Sequence, residues 1–314
     1  MIYTLHTFEL ALNCNSEIFY KLRNKSSSKD KHLLEQNEGL QIEYHSGTYK
    51  RKIKIIANPT ILLGGDSTRK LWKPDDDNIS KLLRKLEKRI GRYFDDLIEL
   101  DDFKLTSVGY AVNFDVGDRK GVKEYLQCLK NTGRVKGFKP AKDNLTGTKN
   151  SYFLKGNSTW IEFIVYDKES ESNSKEFKGI LRAEIRLTKQ AAIRDYVKDT
   201  TTSKQIKSLA SNSRDIFLSV FAGIVPFGDY YKKADAIRLI KSYVPKKRTR
   251  DKMIKLIELI PKKKSLYLAI KTMNDRNIDK TIEAFRNLNL SPVTLSKRQD
   301  IKYLGTLYRY LLDD

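Results

Sequence analysis

Two observations predict an α+β fold with an antiparallel sheet. Up to about residue 200, period-two segments follow one another without regular crossover helices, which argues against a doubly wound parallel sheet. Beyond Thr200 the periodicity is helical almost to the end. The chain therefore divides into an α+β part, 1–200, and a mostly helical part, 201–314. A third observation concerns partners: 61 Lys and Arg against 39 Asp and Glu leave a net charge of +22, a self-repulsion that a polyanion would turn into attraction.

Taken in order, the predicted strands are Tyr3–Leu12, Leu40–His45, Tyr49–Ala57, Lys104–Asp115, Ser151–Leu154, Trp160–Tyr166 and Ile180–Leu187, each alternating polar and apolar residues. Ile79–Tyr93 has apolar residues at helical spacing, and Asp75, Asp76 and Asp77 before it supply anions for a helix N-terminus. Val122–Lys130 reads as a shorter helix. The polar stretches Ser26–Lys31, Lys139–Lys149 and Glu169–Lys178 read as loops, the last joining two strands. Helices are expected over Lys204–Phe221, Tyr230–Tyr243, Arg248–Ile260, Ser265–Met273, Ile278–Leu288 and Tyr303–Leu311. The last two, with the turn through Ser291-Pro292-Val293, could form a helix-turn-helix-like unit. From residue 201 onward there are 24 Lys and Arg and 11 Asp and Glu, so the helical part, at +13, is the more basic one.

Composition excludes several classes. No apolar run approaches the roughly 18 residues a membrane span needs, and mean hydropathy is −0.55, so a soluble protein without a membrane partner is expected. The start, from Met1, lacks a basic n-region and alternates like a strand, which suggests part of the fold and a cytoplasmic location. Cys14 and Cys128 lie far apart, giving no disulfide framework and no zinc spacing. His6, His32 and His45 are isolated.

The chemistry-bearing pattern is a pair of strands. Trp160-Ile161-Glu162-Phe163-Ile164-Val165-Tyr166-Asp167-Lys168 leaves a tyrosine beside a lysine at the strand exit, and Ile180-Leu181-Arg182-Ala183-Glu184-Ile185-Arg186-Leu187 projects Arg182, Glu184 and Arg186 from one face. Attack by a tyrosine on a phosphodiester needs a reachable phenol, something that favours phenolate, and positive charge on the phosphate oxygens. Tyr166, Lys168, and Arg182 with Arg186 could meet these needs if the strands are neighbours. A carboxylate such as Glu184 could hold Mg2+ or Mn2+. Glu162 shares a strand face with Tyr166 and is a further candidate ligand by alternation. The plainer explanations are a half-buried tyrosine, one of 17 in the chain, and a solvated charge-paired strand face.

These residues, with others in order along the chain, resemble the replication initiators of rolling-circle plasmids and filamentous-type phages. Ala57-Asn58-Pro59-Thr60-Ile61-Leu62-Leu63-Gly64-Gly65 looks like the Asn-Pro-x-x-Leu-Leu-Gly turn of that family, and Val108–Asp115 resembles its acidic strand. The turn Gly133–Phe138, the strand Ser151–Lys155, Gly228–Ile237 and Leu290–Thr294 also stand in familiar places. The resemblance implies an antiparallel-sheet, nuclease-like domain followed by a basic DNA-binding or accessory region. It implies that Tyr166 attacks the origin strand, stays joined to the 5′ phosphate and leaves a free 3′ hydroxyl. Lys168, Arg182 and Arg186 would assist, and Glu184 and Asp115 would be the principal ligands of Mg2+ or Mn2+. Implied partners are origin DNA, single-stranded or supercoiled, a host helicase and polymerase, and a second copy in a homodimer.

The chain departs from the family at Ser107-Val108-Gly109, where relatives carry Arg-x-Asp, and at Asn113, where many have a second aspartate. Asp115 could supply the missing charge, since residues 107, 109, 111, 113 and 115 share one strand face. Two readings stay open: a metal-dependent nicking and joining enzyme, and an origin- or hairpin-binding protein of the same fold that cuts weakly or not at all. Were Tyr166 not the nucleophile, Tyr196 would be the next choice.

Overall fold

The computed structural model describes residues 1–26, 39–47, 51–65, 71–94, 98–142 and 150–312. Parts of the predicted loops Ser26–Lys31 and Lys139–Lys149, and the start of the strand predicted from Tyr49, lie outside the described residues. The strands are β1 Thr4–Cys14, β2 Leu40–Ser46, β3 Arg51–Ala57, β4 Lys104–Asp115, β5 Phe138–Pro140, β6 Ser151–Gly156, β7 Ile161–Asp167 and β8 Ile180–Leu187. Among the described residues they form one eight-stranded sheet in the order β2-β3-β1-β4-β8-β7-β6-β5. All of its pairings are antiparallel. The fold is α+β, as the strand succession predicts.

Strand alternation gives the sheet two unlike faces. Val108, Tyr110, Val112 and Phe114 of β4, Leu181, Ala183, Ile185 and Leu187 of β8, and Phe163 and Val165 of β7 are buried in the main hydrophobic cluster. Helices α3 Asp76–Phe94 and α4 Arg119–Thr132 join that cluster through Ile79, Leu82, Leu86 and Ile90 and through Val122, Tyr125, Leu126 and Leu129, spaced three and four apart. The opposite strand positions carry Asn113, Tyr166, Arg182, Glu184 and Arg186, which are absent from the cluster. That polar face holds the candidate site.

Helix α4 starts three residues early and ends two late relative to the sequence pattern, because its ends are set by caps. Asp118 accepts from Gly121 N at 2.6 Å, and Gly133 closes the helix at φ 63°. A side chain at Gly133 would collide with the Lys264 carbonyl, so this glycine also lets the C-terminal helices approach. The β3–α3 connection carries a short helix α2 Pro59–Leu62, where the Asn58 side chain accepts from Ile61 N with proline in the first turn. The Asn-Pro turn read from sequence is thus a capped helix start.

The sheet's core extends past residue 200. The single helix expected over Lys204–Phe221 is two, α7 Thr202–Ser211 and α8 Ser213–Ile224, meeting at Asn212. Both belong to the main cluster through Ile206, Leu209, Phe217 and Phe221, as do Leu307, Tyr308 and Leu311 near the chain's end. A second cluster gathers Tyr230, Ala236, Ile240, Met253, Leu256, Ile257, Phe285, Leu290 and Val293 with Cys128 of α4. It draws on helices α9 Lys233–Tyr243, α10 Lys247–Lys263, α11 Leu266–Met273 and α12 Ile278–Asn287.

The helix-turn-helix expectation is not met. Tyr303–Leu304 pairs as a short strand with Tyr230–Tyr231, and of the expected helix only Tyr308–Leu312 is helical, with Tyr308 and Leu311 in the main cluster. The hydroxyl of Tyr303 donates to Asp229 at 3.0 Å, and Asp229 also accepts from Thr306 N at 2.7 Å. These bonds draw the segment away from helix.

Candidate active site

The register places the site residues in three rungs across four strands. Tyr166 on β7 pairs with Arg182 on β8, and Arg182 with Asn113 on β4. The next rung is Ile164, Glu184, Ala111 and Thr4 of β1; the third is Glu162, Arg186, Gly109 and Thr7. Rungs on one face lie about 7 Å apart, two residues of strand rise. Tyr166, Arg182, Glu184 and Arg186 therefore meet because β7 and β8 are adjacent and antiparallel.

Glu184 is the hub. Its Oε1 accepts from the Tyr166 hydroxyl at 2.6 Å, and its Oε2 accepts from Arg186 Nη2 at 2.7 Å. The carboxyl is buried, while the Arg186 side chain is 42% exposed. Burial alone would raise the Glu184 pKa; His6, Arg186, the Tyr166 hydroxyl and Arg182 outweigh it and bring it to about 2. Burial and the adjacent Glu184 anion push the Tyr166 phenol upward, with Arg182 opposing. At rest, Tyr166 is a neutral phenol whose proton points at an ionised carboxylate.

The other cations sit around this bond. Arg182, 1% exposed, donates through Nε to Asn113 Oδ1 at 2.8 Å. Asn113, which replaces an acid of the resembled family, thus orients a guanidinium at the level of Tyr166. Lys168 opens the short helix α5 Lys168–Ser172, which Asp167 caps by accepting from Glu169 N and Ser170 N. Its buried Nζ pairs with Glu171 at 2.5 Å and lies 5.8 Å from the ring centroids of both Tyr166 and Phe177. Burial, then Arg182, lower its pKa, with Glu171 opposing. The stretch read as a loop over Glu169–Lys178 thus holds α5 and a turn of 3-10 helix, Lys175–Phe177, and the Lys168 ammonium lies over the rings of both Tyr166 and Phe177. The phenol is buried rather than open at the strand exit.

The expected metal carboxylates do not converge. Asp115 shares the face but pairs with Ile180, two rungs from Glu184, about 14 Å along the strand. It is exposed and accepts from Gly117 N at 3.0 Å. Glu162 lies one rung away and pairs with Lys155 at 3.0 Å. Both oxygens of Glu184 are engaged within the site. Among the described residues, no three of His, Cys, Asp or Glu gather closely enough to hold a cation. A Mg2+ or Mn2+ ion takes several oxygens in a near-octahedral set, so these residues as placed do not fit one.

His6 is the site residue that motif reading passed over. Pairing of β1 with β4 shifts between Leu5 and Thr7, a bulge that leaves His6 as an extra residue beside the second rung. Its Nδ1 is enclosed without a hydrogen-bond partner among the described residues. Burial lowers its pKa to about 4, opposed by Glu184 and assisted by Arg182, Lys168 and Arg186, so the ring lies within reach of all four charges. Polar Thr4 and His6 flanking buried Leu5 were the available sequence signal.

Gly109 has a local reason. A Cβ there would sit 2.7 Å from Thr7 Oγ1 and 3.8 Å from Arg186 Cγ. The bulged β1 brings Thr7 over Gly109, where the sequence resemblance led to the expectation of an acid. Tyr196 lies outside these rungs and packs against the main cluster.

No family model matches the chain, and no curated protein matches it. Among solved structures the chain is similar to a rolling circle replication initiator protein from Geobacillus stearothermophilus, with 11% identity and a TM-score of 0.37, over 71% of this chain and 85% of that one. No described helix is long and apolar enough to cross a membrane.

Proposed function

We propose that the chain is a DNA nicking and strand-joining transesterase that initiates rolling-circle replication of a phage, plasmid or mobile element. The observation that carries the reading is the 2.6 Å bond from the Tyr166 hydroxyl to Glu184, set among Arg182, Arg186 and Lys168. A tyrosine hydrogen-bonded to an ionised carboxylate, with three cations at hand for a phosphate, is a nucleophile, a general base and an anion clamp in one place. The sequence motifs in family order supply the substrate class.

In this reading a phosphodiester enters from the side on which Arg186 is exposed and draws that guanidinium off Glu184. Freed of one cation, Glu184 becomes a better base and takes the phenolic proton as the Tyr166 oxygen attacks phosphorus. The P–O3′ bond breaks, the 5′ phosphate stays on Tyr166, the leaving 3′ oxygen takes a proton from water to become a hydroxyl, and Glu184 returns its proton to water. Arg182, held by Asn113, and Lys168 offset charge on the non-bridging oxygens. Attack by a 3′ hydroxyl on the phosphotyrosine reverses these steps and joins the strand. Residues 201–314, with net charge +13, are assigned DNA binding, and a host helicase and polymerase would use the exposed 3′ end in the cytoplasm.

A second reading, an origin- or hairpin-binding protein of the same fold, is favoured by one specific feature: the phenol is enclosed and its acceptor is a weak base at rest. Incubation with supercoiled and single-stranded candidate origin DNA separates the two. Relaxed circles with protein that stays attached in denaturant support the transesterase. Tight specific binding with no attached protein, across origins and divalent metals, contradicts it.

A further inference from the structure

A cleft of about 900 Å3 opens beside the end of β7, one residue past Tyr166. One wall is α4, presenting Arg119, Lys120, Lys123 and Lys130; the other is α5 and the following turn, presenting Ser170, Asn173, Ser174 and Lys175. Its two acids are engaged. Asp167 caps α5, and Glu169 is gripped by Arg119 Nε and Nη2 at 2.6 and 2.5 Å, a two-point bond that clasps one wall to the other. Lys123 and Lys175 are exposed, on opposite walls.

We infer that this cleft is a track for the backbone of single-stranded nucleic acid at the end of the strand that carries Tyr166. Of its five cations Arg119 is committed to Glu169 and Lys120 lies 3.7 Å from Asp300, and five cations against two acids still leave the cleft net positive, an anion site whose small polar side chains suit phosphate and sugar oxygens. Among the described residues its lining is basic and small polar rather than aromatic, which suits contact with the backbone rather than base stacking. The partner class rests on the DNA reading of the Tyr166 site, while the anion-binding geometry does not.

The test is fluorescence binding of a labelled mixed-sequence oligodeoxynucleotide to the full chain carrying Tyr166→Phe, over a salt series. Lys123→Ala with Lys175→Ala removes one contact from each wall. The slope of log K against log salt should flatten by about 1.4, at about 0.7 per lost single-strand phosphate contact. Lys81→Ala with Lys88→Ala, at exposed positions of α3, should leave it unchanged. Overturning results are an unchanged slope in the cleft variant, equal loss in the α3 variant, or competition by an acidic peptide but not by DNA. Adduct formation is scored separately with Tyr166 intact. An adduct with a normal slope in the cleft variant defeats the cleft alone, and a flattened slope without any adduct defeats the transesterase alone.

Discussion

Replacing Glu184 with Gln tests the site's electrostatics, because the isosteric side chain keeps volume and removes one negative charge. The amide offers one acceptor and one donor, whereas Tyr166 and Arg186 both donate, at 2.6 and 2.7 Å. Tyr166 can turn to accept from the amide, whereas Arg186 loses the charge it pairs with and, 42% exposed, can reach water. Breaking a buried ion pair by removing one partner costs about 3–5 kcal/mol, and rehydration of the half-exposed Arg186 reduces this to about 2–3 kcal/mol. The pH route agrees in sign: the surrounding cations and the Tyr166 hydroxyl outweigh burial and lower the carboxyl from the ordinary 4.5 to about 2. A depressed carboxyl contributes stability that is complete above pH 4.5 and is lost as pH falls toward 2. Urea unfolding should therefore show Glu184→Gln destabilised by about 2–3 kcal/mol at pH 7, the gap to the parent closing between about pH 4.5 and 2. Loss of the base should slow adduct formation by about 100-fold or more, while DNA affinity stays within a few-fold. A variant as stable as the parent at pH 7, or one that forms adduct at the parental rate, would refute the argument.

His6 is held neutral by burial, with its pKa lowered from 6.5 to about 4, so the unfolded chain binds this proton first and the contribution is lost as pH falls from about 6.5 toward 4. His6→Gln should flatten the decline in stability over that window, and an unchanged urea midpoint profile would show that His6 is not enclosed as described. Gly109→Asp puts a Cβ 2.7 Å from Thr7 Oγ1 and a carboxylate on the rung of Arg186 and Glu162; it should cost about 1–2 kcal/mol and create Mn2+ affinity, measured by titration calorimetry, that the parent lacks. Tight Mn2+ binding by the parent would contradict the spacing of its carboxylates. Charge reversals at exposed Lys247 and Lys255 of α10 should weaken binding of random duplex DNA several-fold and reduce its salt slope, given the +13 of residues 201–314. No effect on either would move the phosphate-binding surface to the sheet.

Local pattern was legible where geometry is local. Alternation alone put Arg182, Glu184 and Arg186 on one face and made β7 and β8 strands, and the helical spacing of Ile79, Leu82, Leu86 and Ile90 gave α3 its buried side. Alternation does not carry register. It correctly gave Asp115 the face of Glu184, yet the pairing of Asp115 with Ile180 sets the two rungs apart, and no property of either residue announces that distance. His6 depended on a bulge, a relation between two strands that neither strand's sequence states. The extent of the sheet core past residue 200 was hidden for a related reason: α7 and α8 have apolar faces that fit a helical bundle as well as a sheet, and only packing decides between them.

The central claim, that Tyr166 is the nucleophile, is tested most directly by locating the covalent bond. The parent is reacted with a single-stranded origin oligonucleotide, digested with protease and nuclease, and the peptide carrying the residual nucleotide is identified by mass spectrometry. The account predicts one modified peptide, with the phosphodiester on Tyr166, and no adduct from Tyr166→Phe, which keeps the ring over Lys168 and loses only the hydroxyl. A nucleotide on Tyr196 or any other residue, or an adduct that survives Tyr166→Phe, would contradict it.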